Sequence, residues 1–565
     1  MKNLTPSQKA RFAISSFKTI AKAMALRGFY RPSGRMGRQL GDYLLTLSPE
    51  IYGSMNDSKV VELNGLEYVI DRLPCGIDEC TRITLTDEDR FGDHVFERIV
   101  PRKRRRVCYR IDENEVCFIV TRGLSEIYDI MTHLSFLNIE AGKIQRHMTD
   151  DDGNMTGEWR KLESHVPKVD DLTGQALDQA LWNLSLILGR SYQETLQTYE
   201  NLEKGRAEGN SNSGLFRLVH NLGKRVSREK EASENALTVY MTPSLMNAIA
   251  HQQHGEQWAA GLKSRLRALG LAERPLHVIS ANLHSVVNLL YGHAAAKTCK
   301  DLAGNQIDDL YSFIGCIRNQ GDTVLSFARG HGMTQYLDES GSHIDCQIID
   351  TDGLANLPQH QDHGLDFSRI QTERPVLLVM DYAFGAQAFE VMDCLLNPEV
   401  VAEAEPPLAL NIRSISVMGK AGILTGGKGD VMLATAHVIE GTSDNYMCCN
   451  DLTEDDFEPD IPVHTGPMIT VLGTSLQNKD LLNRFQESWG TIGLEMEGGH
   501  YQKAISAAII KGHLPSDICV RYAYYASDNP LQSGQTLAAG EMGPEGIRPT
   551  YMVTKAILHK ILNSG

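Results

Sequence analysis

At 565 residues the chain is too long for one ordinary hydrophobic core, and the length implies three or four domains of roughly 100–200 residues. Apolar and charged contents of 42% and 22% are those of a globular protein, and no apolar run reaches the ~20 residues that a membrane helix needs. With 55 Lys and Arg against 71 Asp and Glu the net charge is −16. That balance disfavours binding a nucleic acid polymer through phosphate neutralisation, so any anionic ligand requires a local cationic pocket.

The eleven cysteines are scattered, without the paired spacing of a structural zinc site, and read as reduced thiols of a cytoplasmic protein. Residues 1–41 carry Lys and Arg but no Asp or Glu, a composition that transit peptides share. Thr5-Pro6-Ser7-Gln8, however, resembles a helix cap, and Ala13, Phe17, Ile20 and Met24 follow at helical spacing. The better reading is a basic amphipathic helix docked on its own protein.

Residues 1–60 are thus expected to form a helical segment. Alternation in Val107 to Val120 predicts a hairpin within an α+β region over 61–165. The run Arg102 to Arg106 is expected to be a solvated loop. Helical periodicity over 166–270 is broken by the glycine- and serine-rich stretch Lys204 to Gly214, read as an exposed loop. From 271 to 370 short apolar runs alternate with turns and helical patterns, an α/β region of unassigned role. Arg329-Gly330-His331-Gly332 is read as a tight turn. The pairs His251/His254 and His360/His363 have a metal-compatible spacing but polar surroundings that suggest surface.

The readable chemistry lies in 371–565. Three predicted strands end in unusual polar residues, at the edge where open α/β sheets bind ligands. Val376 to Met380 delivers Asp381 and then Gly385. Ile415 to Met418 leads into Gly419-Lys420-Ala421-Gly422, read as a loop whose amides approach a ligand. Ile518 to Tyr525 runs into Ser527-Asp528 before the turn formers Asn529-Pro530. A fourth segment, "TIGLEMEGGHYQKAI", sets Glu495 and Glu497 around Met496 at a helix entrance. Each feature alone is explained by capping or turn formation, but several carboxylates on one sheet edge are costly unless they are solvated or have work to do.

In this order, "GKAG…GGKGDVMLAT", "GLEMEGG" and "YASDNP" resemble the purine nucleoside phosphorylase and nucleosidase superfamily over about a third of the chain, and "SDNPL" is most similar to the AMP nucleosidases within it. The resemblance implies a three-layer α/β/α domain with a central mixed sheet, preceded by the helical and α+β regions. It implies an enzyme that cleaves the N-glycosidic bond of a purine nucleotide or nucleoside, without metal or redox cofactor, as a homo-oligomer. Glu497 matches the glutamate that accepts the ribose hydroxyls, Met496 the side chain packed on the sugar, and Glu495 a flanking carboxylate that in part of the family helps hold ribose. Asp528 matches the aspartate that serves purine N7, with Ser527 beside it. Thr474 and Ser475 fall where the family places residues near the base.

Phosphorylases of this superfamily hold phosphate with arginines and a small hydroxyl residue. Here the corresponding position is Lys420, and Asp381 to Asp393 carries Asp381, Glu390 and Asp393 but no cation. Negative charge at the nucleophile position repels phosphate and can orient water, which favours hydrolysis, with Asp381 as the candidate base. Lys420 is left to contact a 5′-phosphate, compensate carboxylates, or reach solvent. The alternatives are a phosphorylase using Lys420 and Arg413 or a neighbouring subunit, and an inactive nucleotide-binding sensor.

Overall fold

In the computed structural model, residues 4–89, 95–104, 106–209, 211–299, 307–399, 409–532 and 542–563 are described. They form two compact units, one of residues 1–251 with 475–481 and one of residues 252–474 with 482–565.

The first unit holds a six-stranded sheet. Its strands are β1 (Phe29–Tyr30), β2 (Arg82–Thr86), β3 (Glu97–Ile99), β4 (Val107–Arg110), β5 (Glu115–Ile119) and β6 (Thr238–Met241), in the order β1-β6-β2-β5-β4-β3. The expected hairpin is the antiparallel pair β4 and β5. The helix Pro6–Leu26 begins with the Thr5/Gln8 capping box and Pro6 in its first turn, and buries Ala13, Phe17 and Met24. The stretch 166–270 is not one helical domain: within it β6 pairs in parallel with β2 in the first sheet, and residues from 252 on belong to the second unit. Residues 204–209 complete the helix Tyr192–Gly209 rather than forming a loop.

The second unit contains β7 (Leu276–Ser280), β8 (Met333–Tyr336), β9 (Cys346–Asp350), β10 (Val376–Met380), β11 (Ile412–Ile423), β12 (Val431–Ile439), β13 (Asn445–Met447), β14 (Val463–Thr470), β15 (Gly493–Glu495) and β16 (Cys519–Asp528). Along the sheet the order is β13-β12-β14-β15-β11-β7-β10-β9-β8, while β16 pairs with both β11 and β12 and closes β12-β14-β15-β11-β16 into a ring. Parallel pairs such as β7/β10 and β11/β16 coexist with antiparallel ones such as β11/β15, so the sheet is mixed.

Alternation along β10 builds two cores. Val376, Leu378 and Met380 join residues of the helices Gln253–Ala268, Gln387–Leu396 and Gly498–Ile510. Leu377 and Val379 join those of Leu283–Thr298, Leu310–Ile317 and Ile547–Leu562 on the other face. The expected three-layer α/β/α architecture is therefore present. Its boundary is not at residue 371, because β7 lies between β11 and β10 and ties residues 271–370 into the same sheet.

Arg329 to Gly332 forms the expected tight turn, here at the end of the helix Gly321–Arg329, with Gly332 at φ +91°. His360 and His363 are buried rather than surface residues, with ring nitrogens on the carbonyl of Ile307 and the side chain of Gln359. Among the described residues no group of His, Cys, Asp and Glu has metal-binding geometry. No helix among them is long and apolar enough to cross a membrane, and all eleven cysteines are free.

Candidate active site

The residues that position the site are those of parallel strand ends. β7, β10, β11 and β16 run in the same direction, so Asp381, Lys420 and Asp528 come from C-terminal ends of one sheet. The segment Gly419 to Gly422 is strand rather than loop: β11 continues to Ile423, pairing Lys420 with Tyr525 and, across a bulge, Gly422 with Asp528. A Cβ on Gly419 would lie 3.5 Å from the ring of Tyr382, which stands exposed at the sheet edge. The true loop is 424–430, braced by Asp430, whose Oδ2 accepts the Gly427 amide at 2.9 Å and lies 3.0 Å from His464 Nε2.

Asp528 closes β16 and is 2% exposed. Its Oδ1 accepts the Ser527 hydroxyl at 2.5 Å, whereas Oδ2 is buried without a hydrogen-bond partner among the described residues. Burial pushes its carboxyl above the ordinary range, with Ser527 and the charge of Lys420 opposing less strongly. Tyr524 and Ala526, both buried, line the preceding strand. Asn529 fastens the following turn through its amide to the Gly426 carbonyl at 3.0 Å.

The two glutamates have different environments. Glu495 is 3% exposed and held by the fold. Its Oε1 accepts the Thr470 hydroxyl at 2.5 Å and lies 3.4 Å from His437 Nδ1. Its Oε2 accepts the amides of Glu497, at 2.5 Å, and Gly498. Burial alone would raise its pKa, but His437, Thr470 and the Gly498 amide together hold it below the usual range. Glu495 thus anchors the entrance of the helix Gly498–Ile510.

Glu497, two residues on, accepts the Gly385 amide at Oε1 at 2.9 Å, joining the β10 loop to the helix entrance. Gly385 has φ +56°, a backbone conformation that favours glycine. Burial, with the adjacent Glu495 charge second, pushes Glu497 up to about 8. Met496 packs with Leu424, Ile469, Val471, Leu482 and Leu494, against which Phe384, Phe485 and Leu531 also lie. This apolar wall brings together the loop after β10, the Glu-Met-Glu segment and the turn after Asp528.

Of the other expected residues, Asp381 follows β10 and accepts the Tyr382 amide at 2.9 Å. Lys420 is exposed. Glu390 and Asp393 lie on the helix Gln387–Leu396, where burial raises Glu390 to about 7 and Asp393 pairs with Lys511 at 2.8 Å. Arg413 is the second residue of β11, seven residues or roughly 23 Å of strand from Lys420, and so is not beside it. Thr474 ends a stretch of the second unit, but Ser475 belongs to the first unit and is buried there, outside the unit that holds the carboxylates.

Sequence reasoning passed over Ser280, Tyr501, Thr470 and His437. Tyr501, one helical turn beyond Glu497, shares a 3.0 Å hydrogen bond with Ser280 at the end of β7. The stretch "LHVISANLHS" carried a strand-turn-helix signal, yet its contact with Tyr501 is distant in sequence. His437 sits seven residues after Asp430 on β12, and its alternation resembled ordinary strand packing.

A family model described as "Family of unknown function (DUF6909)" matches residues 38–303 and 318–563. No curated protein matches the chain. Among solved structures, the 5′-methylthioadenosine/S-adenosyl homocysteine nucleosidase of Campylobacter jejuni is similar at 10% identity, covering 52% of this chain and 100% of that one, with TM-score 0.30. A futalosine hydrolase mutant of Helicobacter pylori is 8% identical over 51% of this chain and 99% of its own, with TM-score 0.29. The Streptococcus pneumoniae MTA/SAH nucleosidase is 12% identical over 50% and 98%, with TM-score 0.28.

Proposed function

This chain belongs to the family of unknown function DUF6909, and we propose that it is an N-glycoside hydrolase acting on a purine nucleotide or nucleoside, with AMP the first substrate to try. The observation that carries the reading is Asp528, a buried carboxyl of raised pKa with one oxygen unpartnered among the described residues, at the end of a strand in register with Gly422. The order of the Gly-Lys-Ala-Gly, Gly-Asp-Val, Glu-Met-Glu and Ser-Asp motifs supports it.

Breaking the bond from ribose to a purine builds positive charge on the sugar and negative charge on the base. Asp528, whose burial favours the protonated form, donates to N7 of the departing purine. Glu497 accepts the ribose hydroxyls, and those donors favour its carboxylate form over the protonated form that prevails near neutral pH. Met496 packs on the sugar. Glu495 holds the helix entrance that presents Glu497, which replaces the direct ribose contact implied by the family pattern. Asp381 orients the attacking water, and Lys420 receives a 5′-phosphate or balances Asp528.

Hydrolysis is favoured over phosphorolysis because the distance of Arg413 from Lys420 removes the second cation considered for phosphate. Chromatography of reactions with a panel of purine nucleosides and nucleotides, with and without phosphate, tests this. Free base with ribose or ribose 5-phosphate in phosphate-free buffer is expected. Strict dependence on phosphate, with ribose 1-phosphate as product, rejects hydrolysis, and ligand binding without any base release rejects catalysis.

A further inference from the structure

The basic run Arg102 to Arg106 is not the solvated loop its composition suggests, as far as its described residues show; Arg105 lies outside them. Arg102 and Lys103 pair with Asp71 at 3.6 and 3.1 Å. Arg104 and Arg106 reach Asp129 in the first unit at 3.2 and 3.0 Å, and Arg106 also reaches Glu126 at 3.0 Å. Both carboxylates are thereby taken: Asp129 is bridged by two guanidinium groups, and Glu126 also accepts the amides of Thr121 and Arg122.

A third guanidinium lies beside this network. Arg72 is 6% exposed, with its guanidinium 3.5 Å from the centre of the Tyr68 ring and Nη1 donating to the Tyr68 carbonyl at 2.9 Å. Its Nε has no hydrogen-bond partner among the described residues, and it makes no ion pair there. The Tyr68 ring packs edge-on against His133 at 5.9 Å. His133 is 0% exposed and neither ring nitrogen has a hydrogen-bond partner among the described residues; the nearest carboxylate oxygen, on Asp129, is 3.7 Å from Nε2. The cluster therefore sets three buried or part-buried guanidinium groups, of Arg72, Arg104 and Arg106, against the carboxylates of Asp129 and Glu126.

A buried charge without a counter-charge, or a buried donor without an acceptor, destabilises the fold that holds it unless a bound group satisfies it. The surplus here is positive, and the unpartnered groups are donors or, for neutral His133, a donor and an acceptor. Burial depresses the Arg72 guanidinium, whereas the carboxylates beside Arg104 and Arg106 raise theirs despite burial. Of the three guanidinium groups, Arg72 is the one that makes no ion pair among the described residues, whereas Arg104 and Arg106 do.

We infer that Arg72 and His133, with Tyr68 beside them, form a binding site for a small oxyanion, phosphate or a phosphate monoester, in the first unit and separate from the strand-end carboxylates. A guanidinium offers the planar fork that phosphate accepts, and a neutral imidazole N–H supplies a further donor.

Isothermal titration of the full-length protein with inorganic phosphate, and separately with AMP, tests this. A saturable site for phosphate is expected that persists in Lys420→Ala, weakens at least tenfold in Arg72→Met, and weakens less in Arg72→Lys, which keeps the charge and gives a folded comparison. AMP binding that survives Lys420→Ala and falls with Arg72→Met identifies a monoester as the occupant. Absence of saturable phosphate or AMP binding overturns the inference, as does binding lost in Lys420→Ala but unchanged in both Arg72 variants.

Discussion

At the residue scale, the two glutamates flanking Met496 divide their work by environment. Glu495 meets the Thr470 hydroxyl and two amides and stays ionised, whereas Glu497, buried beside that negative charge, has a pKa pushed up to about 8 despite the Gly385 amide. Its folded value lies above that of an exposed glutamate, so the folded state holds the extra proton between about pH 4.5 and 8. The contribution is full below that interval and is lost as pH rises through it. Wild-type stability should therefore fall relative to Glu497→Gln between about pH 5 and 8, measured by urea denaturation at each pH; parallel curves would contradict the assignment. Glu495→Ala strands the Thr470 hydroxyl and two amides, and should cost about 2–4 kcal/mol in the same experiment.

At the scale of elements, close packing fixes the Glu-Met-Glu segment to its neighbours. A methyl group on Gly498 would collide with the Tyr524 hydroxyl and the His437 ring. Gly498→Ala should destabilise the fold by roughly 1–3 kcal/mol and lower turnover, read together from denaturation and kinetics. Gly512→Ala, at a helix end where added Cβ meets no atom within 4 Å although φ is +75°, should leave turnover unchanged. The strand ends were legible where apolar runs are continuous: Val376 to Met380 is β10 as its composition indicates. Gly419 to Gly422 misled, because a glycine pair reads as a loop while the register with β16 that keeps it extended is set about a hundred residues later. Glu495 likewise looked like a ligand acceptor, since the Thr470 hydroxyl that it accepts and the nearby His437 are invisible to local pattern.

For the whole molecule, the boundary suggested by motif density at residue 371 is not a structural one. A fragment 371–565 would lack β7, which lies between β11 and β10, together with β8 and β9. It should be insoluble or molten, with broad amide resonances and no cooperative thermal transition; a sharply folded fragment would refute this topology. Residues 475–481 belong to the first unit although they interrupt the second in sequence, a connection that periodicity does not reveal. The buried arginines show the same limit: a run of basic residues resembles a solvated face until Asp129 and Glu126, twenty or more residues downstream, are brought to Arg104 and Arg106. The most direct test of the proposed activity is adenine release from AMP in phosphate-free buffer by wild-type protein and Asp528→Asn, with AMP binding measured on both. The account predicts release by the wild type, at least about a 100-fold loss of turnover in Asp528→Asn, and binding within a few-fold. Equal turnover by the two proteins, or no release by the wild type, would contradict it.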